Sequence, residues 1–382
     1  MIRKSDAKWW ALEAKKHPEG APEIIEQLAN HLVELDAQNE QLREELLQAQ
    51  RRAAVADEVE LGELRRQVAE LRRLLESSES LEPSVILVST QGQAARVPLS
   101  RAVQIAHGAQ PQLDRRTLAR LWGLVLARPQ DSVLLLTSRG RGRQLSTLQV
   151  PMLADDGTWP PAGREAAAGG GAPGGDEWLT TATVVSEPPR LWTAVTRRGW
   201  VRQYLRVAFE RDMARQRTLV ESPNPRDVPV ALVNGDPAEL LVFTRWGRAA
   251  RFPQRAISAQ GDLALELEPD DEVLTALPLA TEGEVLLVTS AGLAMRRSTA
   301  QLEPRVRPGG AGRPLIQAFD LLAVLLHEAR SHLLILTHSG RLVTVPADSI
   351  PQQERLGKGA PVGDFARDPA IAVALARYLP GA

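Results

Sequence analysis

One unit recurs six times along this chain: an apolar run, then Ser or Thr, two residues, Gly, and a second β-like run. The apolar runs 85–88, 133–136, 191–195, 240–243, 285–288 and 333–336 lead into Ser89, Thr137, Thr196, Thr244, Thr289 and Thr337. Gly92, Gly140, Gly199, Gly247, Gly292 and Gly340 follow three residues later. Each copy reads as a β-hairpin turning at its glycine, where a tight turn demands a positive φ, with the hydroxyl free to bond local backbone as the first strand ends. Successive Ser/Thr positions lie 48, 59, 48, 45 and 48 residues apart. The one long interval holds a Gly- and Pro-rich stretch, 163–175, which reads as the heart of a flexible insertion over 154–177.

A further apolar run begins 12 residues before each of the last five hairpins, at Leu121, Leu179, Val228, Val273 and Leu321, while the run 371–375 is left over at the C-terminus. The spare run predicts a closed ring in which the last strand completes the sheet containing residues 85–88. Units of this length with short strands predict an all-β, propeller-like ring of six four-stranded blades over residues 83–382.

Ahead of the repeats the periodicity changes. Leu28, Leu35, Leu42, Ala49 and Ala56 form one heptad series, and Ile25, Leu32, Leu46 and Ala53 form another in which Asn39 takes a place. Residues 21–82 are therefore expected to form an α-helical coiled coil. Leu28, Leu35, Asn39, Leu42 and Leu46 lie along its seam, and a buried Asn at such a place fixes register and favours a two-stranded parallel arrangement, so a homodimer is expected, its strands parallel or antiparallel. After a slip near Gly62 the seam resumes at Leu61, Leu64, Val68, Leu71 and Leu75, so the helix either continues or folds back. Residues 1–20, with Lys4, Lys8, Lys15 and Lys16 around Trp9 and Trp10, form a basic arm without the apolar segment of a secretory signal.

Composition narrows the function classes. The 46 basic and 47 acidic residues nearly cancel, yet residues 1–82 hold 12 basic and 18 acidic residues, so the repeat region carries a positive excess. Of the basic residues after 82, only Lys358 is a lysine; the rest are arginines, whose planar donor fork suits phosphate. The chain has no cysteine, which excludes a disulfide framework, thiolate metal sites and a cysteine nucleophile, and fits a cytoplasmic setting. No uninterrupted apolar run approaches the roughly 18 residues of a membrane helix.

The repeat resembles that of the C-terminal domain of DNA gyrase A and its topoisomerase IV counterpart, a six-bladed β-pinwheel whose motif runs apolar-apolar-x-Thr-x-x-Gly-x-x-Lys-Arg. Four residues after each turn glycine, where that family has Arg, stand Arg96, Gln144, Gln203, Arg251, Arg296 and Thr344. One position earlier stand Ala95, Arg143, Arg202, Ala250, Met295 and Val343. The resemblance implies that such residues face the rim and bind phosphates of wrapped duplex DNA, so Arg96, Arg143, Arg202, Arg251 and Arg296 are its candidate contacts. Arg198 and Arg248, in the turns that carry Trp200 and Trp246, join them. Those tryptophans either stack on the nucleic acid or cover sheet interfaces. The family's Gln-Arg-Arg-Gly-Gly-Lys-Gly box is not reproduced. Two degenerate echoes are present, one with Arg305 and Arg307, the other with Arg355 and Lys358. Neither has P-loop spacing.

No catalytic constellation emerges. Tyr204 and Tyr378, the only tyrosines, lie within the repeats and outside the context of the family's DNA-cleaving tyrosine, whose whole region is missing here. His327, His332 and His338 lack zinc-site spacing, and the acidic run 270–272 reads as a solvated turn. The expected function is non-catalytic, largely sequence-independent binding, bending or wrapping of duplex DNA by a dimer in the nucleoid, with no cofactor and no membrane partner. The alternatives are a protein-interaction scaffold with little DNA affinity, or an accessory bound to gyrase or topoisomerase subunits.

Overall fold

The computed structural model describes residues 22, 26, 29–30, 33, 36–46, 82–106, 113, 118–119, 121–154, 156–159 and 177–377. The chain divides into two compact units, Met1–Leu81 and Glu82–Ala382. In the first, residues 36–46 are helical; Asn39, Leu42 and Leu46 are half-buried while the positions between them are exposed. That spacing of three and four residues is one helix stripe. The basic arm 1–20, Leu28, Leu35 and the slip near Gly62 lie outside the described residues.

The second unit contains six small antiparallel sheets among the described residues. Each is built on one predicted hairpin: Ser84–Ser89 with Ala94–Pro98, Ser132–Thr137 with Gly142–Ser146, Leu191–Thr196 with Trp200–Leu205, Glu239–Thr244 with Arg248–Pro253, Glu284–Thr289 with Leu293–Ser298, and His332–Thr337 with Leu342–Pro346. The first strand of every hairpin is almost wholly buried, as Ser84–Ser89 is over its whole length. Such strands read as unbroken apolar runs because both faces are covered. Leu134 and Leu136 pack with Trp192 and Ala194 of the third sheet, whereas Val133 and Leu135 pack with Ile86 and Val88 of the first. The same division of odd and even positions recurs around the unit. It ends with Leu334 and Leu336 of the sixth sheet packed on Val85 and Leu87 of the first.

The repeat motif has a uniform local chemistry. In all six copies the Ser or Thr hydroxyl accepts the N–H four residues on, from Gln93, Arg141, Trp200, Arg248, Leu293 and Arg341, at 2.9–3.2 Å. The turn glycine's N–H returns to the carbonyl of that same Ser or Thr, as from Gly292 to Thr289 at 3.0 Å. The glycines have φ between 68° and 89°.

Pairing of the remaining runs differs from expectation. Leu121–Ala127 pairs with Ser84–Ser89, and the C-terminal strand Ala370–Ala376 pairs with His332–Thr337, so each run completes the hairpin before it rather than the hairpin 12 residues after it. The C-terminal strand therefore does not complete the first sheet. A linker of a few residues reaches either sheet, and in the link after Leu121–Ala127 the Asp131 carboxylate accepts from the Arg128 N–H at 2.8 Å and fixes a turn that carries the chain across to the next sheet.

Neighbouring repeats are joined by outer arms instead. The arm following each hairpin reaches back to the preceding sheet, where Asp262–Leu263, Arg313–Pro314 and Ala360–Pro361 add two-residue edge strands to the third, fourth and fifth sheets. These three sheets have the expected four strands and the other three have three among the described residues. In the second sheet the arm contributes single bonds, Leu219 N–H to the Gly140 carbonyl at 2.7 Å. At the sixth, Leu113 and Leu118 of the first repeat close over Gly340. Short helices interrupt the pattern, among them α1, Leu99–Ala106, which buries Leu99, Ala102, Val103 and Ile105, and α2, Arg206–Ala214. Residues 155 and 160–176 of the expected insertion are outside the described residues, but Glu177, at its predicted edge, is buried and accepts the Thr137 hydroxyl.

Candidate nucleic-acid interface

The arginines of this unit fall into two populations. The first is built into the fold. Arg251, 7% exposed, donates from Nε to Glu239 at 2.7 Å and from Nη1 to Glu282 at 3.2 Å and to the carbonyl of Thr299 at 3.1 Å. Arg296 donates to the Ile350 carbonyl at 2.7 Å and to Glu284 at 3.1 Å. Arg202 reaches the Ala259 carbonyl at 3.2 Å and lies 5.3 Å over the Tyr204 ring. Arg248 holds the Gly312 carbonyl at 3.1 Å and Glu268 at 3.3 Å. Thr299, Ile350, Ala259 and Gly312 all belong to the following repeats, so these guanidiniums staple one repeat to the next. Arg143 donates to Gly92, in the turn of the sheet before, at 2.9 Å, and burial lowers its pKa below the usual arginine value. Arg96 is buried, and Arg305 turns back on the carbonyls of Gly309, Gly310 and Ala311 within its own loop.

Arg297, which the sequence pattern did not single out, belongs with the staples. It is 5% exposed and donates to the carbonyls of Gln353 and Arg355 at 2.7 and 3.0 Å. Burial first, and Arg313 nearby, lower its pKa.

The second population faces solvent. The residues of the Ser/Thr-x-x-Gly turns sit at one end of their sheets, because every hairpin pairs in the same sense with the run that completes it. The turn of the second sheet presents Arg139 and Arg141, that of the third Arg197 and Arg198, and that of the fourth Arg245. Arg139 and Arg198 are exposed and have no side-chain partner among the described residues. Arg197 and Arg245 share one carboxylate, Glu272, at 3.4 and 2.7 Å, which brings the third and fourth turns together. Arg141, 56% exposed, stands 3.8 Å from Glu177 and, with Arg211 and Arg217 from the α2 region, lines an open concavity that also has Asp212 and Glu221 on its walls. The turns of the first and fifth sheets offer no cation, having Thr90, Gln91, Ser290 and Ala291 at these places, and separate the second to fourth turns from that of the sixth, where Arg341, 45% exposed, stands 3.8 Å from Asp368. Arg307, Arg355 and Lys358 are exposed on the outer arms.

Acidic residues set the turns, a role the sequence hinted at only through the run 270–272. Asp227 accepts the Arg198 N–H at 2.9 Å, Asp271 the Trp246 N–H at 3.1 Å, and Asp368 the Ser339 N–H at 2.8 Å. Each lies two residues ahead of the strand that completes its sheet. Asp271 is 1% exposed and belongs to the turn, not to solvent. No cluster of three metal-ligating side chains occurs among the described residues, and no helix there is long and apolar enough to cross a membrane.

Residues 331–362 match the family described as DNA gyrase C-terminal domain, beta-propeller. The gyrase A protein of Thermotoga maritima is 29% identical over 140 residues, which cover 34% of this chain and 17% of that protein. The chain thus matches about one sixth of the length of that relative. Among solved structures, a DNA gyrase A C-terminal domain superposes with a TM-score of 0.61 at 13% identity, covering 77% of this chain and 99% of that one. The C-terminal domain of a DNA topoisomerase IV gives 0.52 at 17% identity, covering 77% and 93%. This is the fold of those C-terminal domains.

Proposed function

We propose that this protein is a non-catalytic duplex-DNA-binding protein, built on a six-bladed β-pinwheel, that holds DNA by its phosphates with little regard to sequence. The observation that carries this function is the row of solvent-facing arginines on three consecutive turns, two of them without a side-chain partner among the described residues. Cations spaced along a curved edge neutralise successive phosphates of a bent duplex without touching bases. The cation-free turns of the first and fifth sheets confine contact to an arc, so the duplex is bent across the second to fourth sheets rather than carried around the whole circumference. The exposed outer-arm cations Arg307, Arg355 and Lys358 add phosphate contacts outside that arc, and the heptad spacing of Leu28, Leu35, Leu42 and Asn39 in the sequence supports dimerisation through a coiled coil, which adds avidity. Association with the nucleoid and the lack of strand cleavage follow from the same proposal.

A salt series of duplex binding by the full chain tests it. Log affinity is expected to fall steeply with log salt, and replacing Arg139, Arg198 and Arg245 together with alanine is expected to flatten the slope by about 2.7, from roughly 0.9 per phosphate contact. Failure of the native protein to bind duplex at low salt would refute the proposal. A plasmid topology assay with a relaxing enzyme then separates wrapping from simple binding.

A further inference from the structure

Phe319 is a large apolar side chain left 77% exposed, two residues ahead of the strand Leu321–Leu326. Its ring stands edge-to-face on Trp246, at 5.4 Å between centroids and 85° between planes. The backbone on both sides of this aromatic pair is pinned. Trp246 donates its N–H to Asp271 at 3.1 Å, and its neighbour Gly247 donates to Thr244 at 3.0 Å. Next to Phe319, the Ser290 hydroxyl holds the Asp320 carboxylate at 2.6 Å, and the Leu321 N–H reaches the Arg245 carbonyl at 3.1 Å. The ring therefore projects from a fixed base rather than from a loose loop, and little ordering is needed for it to enter a partner.

The partner is the duplex of the proposed function. Arg245 adjoins Trp246 in the same turn and Arg197 and Arg198 occupy the turn beside it, while the carboxylates there are engaged locally, Glu272 by Arg197 and Arg245, Asp227 and Asp271 by the backbone N–H groups of Arg198 and Trp246, and Asp320 by the Ser290 hydroxyl. We infer that Phe319, backed by Trp246, is a wedge that enters between base pairs of the bound duplex at a flexible pyrimidine–purine step and localises its bend there. Apolar side chains that part a base step kink DNA by tens of degrees, at an unstacking cost of a few kcal/mol that additional backbone contacts offset. Arg245 and Arg198 supply those contacts. This inference rests on the proposed DNA binding and adds to it a site of deformation and a preference for easily unstacked steps.

The test uses the full chain, a 30-base-pair duplex with one central TA step whose adenine is 2-aminopurine, and the Phe319→Ala variant. Because the ring is mostly in water, the variant is expected to fold as the native protein does and still to bind duplex at low salt. Native protein is expected to raise 2-aminopurine fluorescence several-fold and to shorten the end-to-end distance measured by energy transfer; Phe319→Ala is expected to lose both, and Phe319→Leu to keep part of each. Equal fluorescence and equal bending with native and Phe319→Ala protein would overturn the wedge while leaving phosphate binding intact. Absence of duplex binding by the native protein removes both. A Phe319-dependent self-association seen by sedimentation without DNA would assign the ring to a protein contact and also overturn it.

Discussion

Replacing Arg251 with alanine and, separately, Arg198 with alanine distinguishes the stapling arginines from the solvent-facing ones. Arg251 is buried against Glu239, itself 21% exposed, and its Nη1 also serves the carbonyls of Thr299 and Leu302 in the next repeat. Removing the guanidinium leaves a largely buried carboxylate without its partner and two arm carbonyls without a donor, a loss of about 3–5 kcal/mol by analogy with broken buried ion pairs. Glu282, 62% exposed, returns to water and adds little to that figure. Arg198 has no such partners among the described residues, so its loss is expected to change stability by less than about 0.5 kcal/mol. Chemical denaturation reads the first effect, and the salt slope of duplex binding, measured where both variants are folded, reads the second. Arg251→Ala is expected to unfold at markedly lower denaturant with an unchanged slope; Arg198→Ala is expected to keep its stability and lose about 0.9 of slope. An Arg251→Ala protein as stable as the native one but with a flatter slope would refute the division of the arginines and return Arg251 to the phosphate-binding set.

The turn glycines offer a matched pair. Gly92 and Gly140 have φ of 72° and 68°, but a Cβ on Gly92 meets nothing within 4 Å while one on Gly140 falls 2.1 Å from the Val220 carbonyl oxygen. Gly92→Ala is therefore expected to cost only the left-handed conformation, about 1–2 kcal/mol, and Gly140→Ala about 3–5 kcal/mol as the bonds of Leu219 and Val220 to the turn are lost as well; equal losses in denaturation would contradict this. Asp348 accepts the Arg330 N–H and lies beside His327, and these hold its carboxyl below the usual aspartate value. A carboxyl depressed in the folded state contributes stability that is present above its unfolded pKa, about 3.9, and is lost as pH falls through the folded value. Stability measured from pH 6 down to pH 2 is accordingly expected to fall less for Asp348→Asn than for the native chain.

The repeat motif was legible because its chemistry is local: a hydroxyl, a glycine and two apolar runs fix each hairpin without help from distant residues. Strand partners were not, since the linker between Leu121–Ala127 and Ser132–Thr137 is short enough to be a hairpin, and only packing of alternate faces on neighbouring sheets decides otherwise. The arginines show the same limit. Arg251 and Arg198 both follow the repeat period, and nothing in their own sequence context reveals that Glu239 and Thr299 surround one of them. Likewise Glu177 looked like the end of a polar insertion because its partner, Thr137, is 40 residues away. Phe319 carried no signal at all, as a lone aromatic ahead of a strand usually enters the core.

Because the arms reach back to the sheet before their own, adding an edge strand to three of the six, no repeat is a self-contained block. Removing the last repeat would take away not only its own three strands but also Ala360–Pro361, the edge of the fifth sheet, and Phe365, which seats on Gly292. Removing the first would uncover Gly340 at the opposite end of the chain. Neither terminal repeat can thus serve as a cap. The number of units is locked by mutual lending, and a chain of this kind gains or loses a unit only if the cut falls between an arm and the hairpin it leaves behind, so that each borrowed edge still finds a lender.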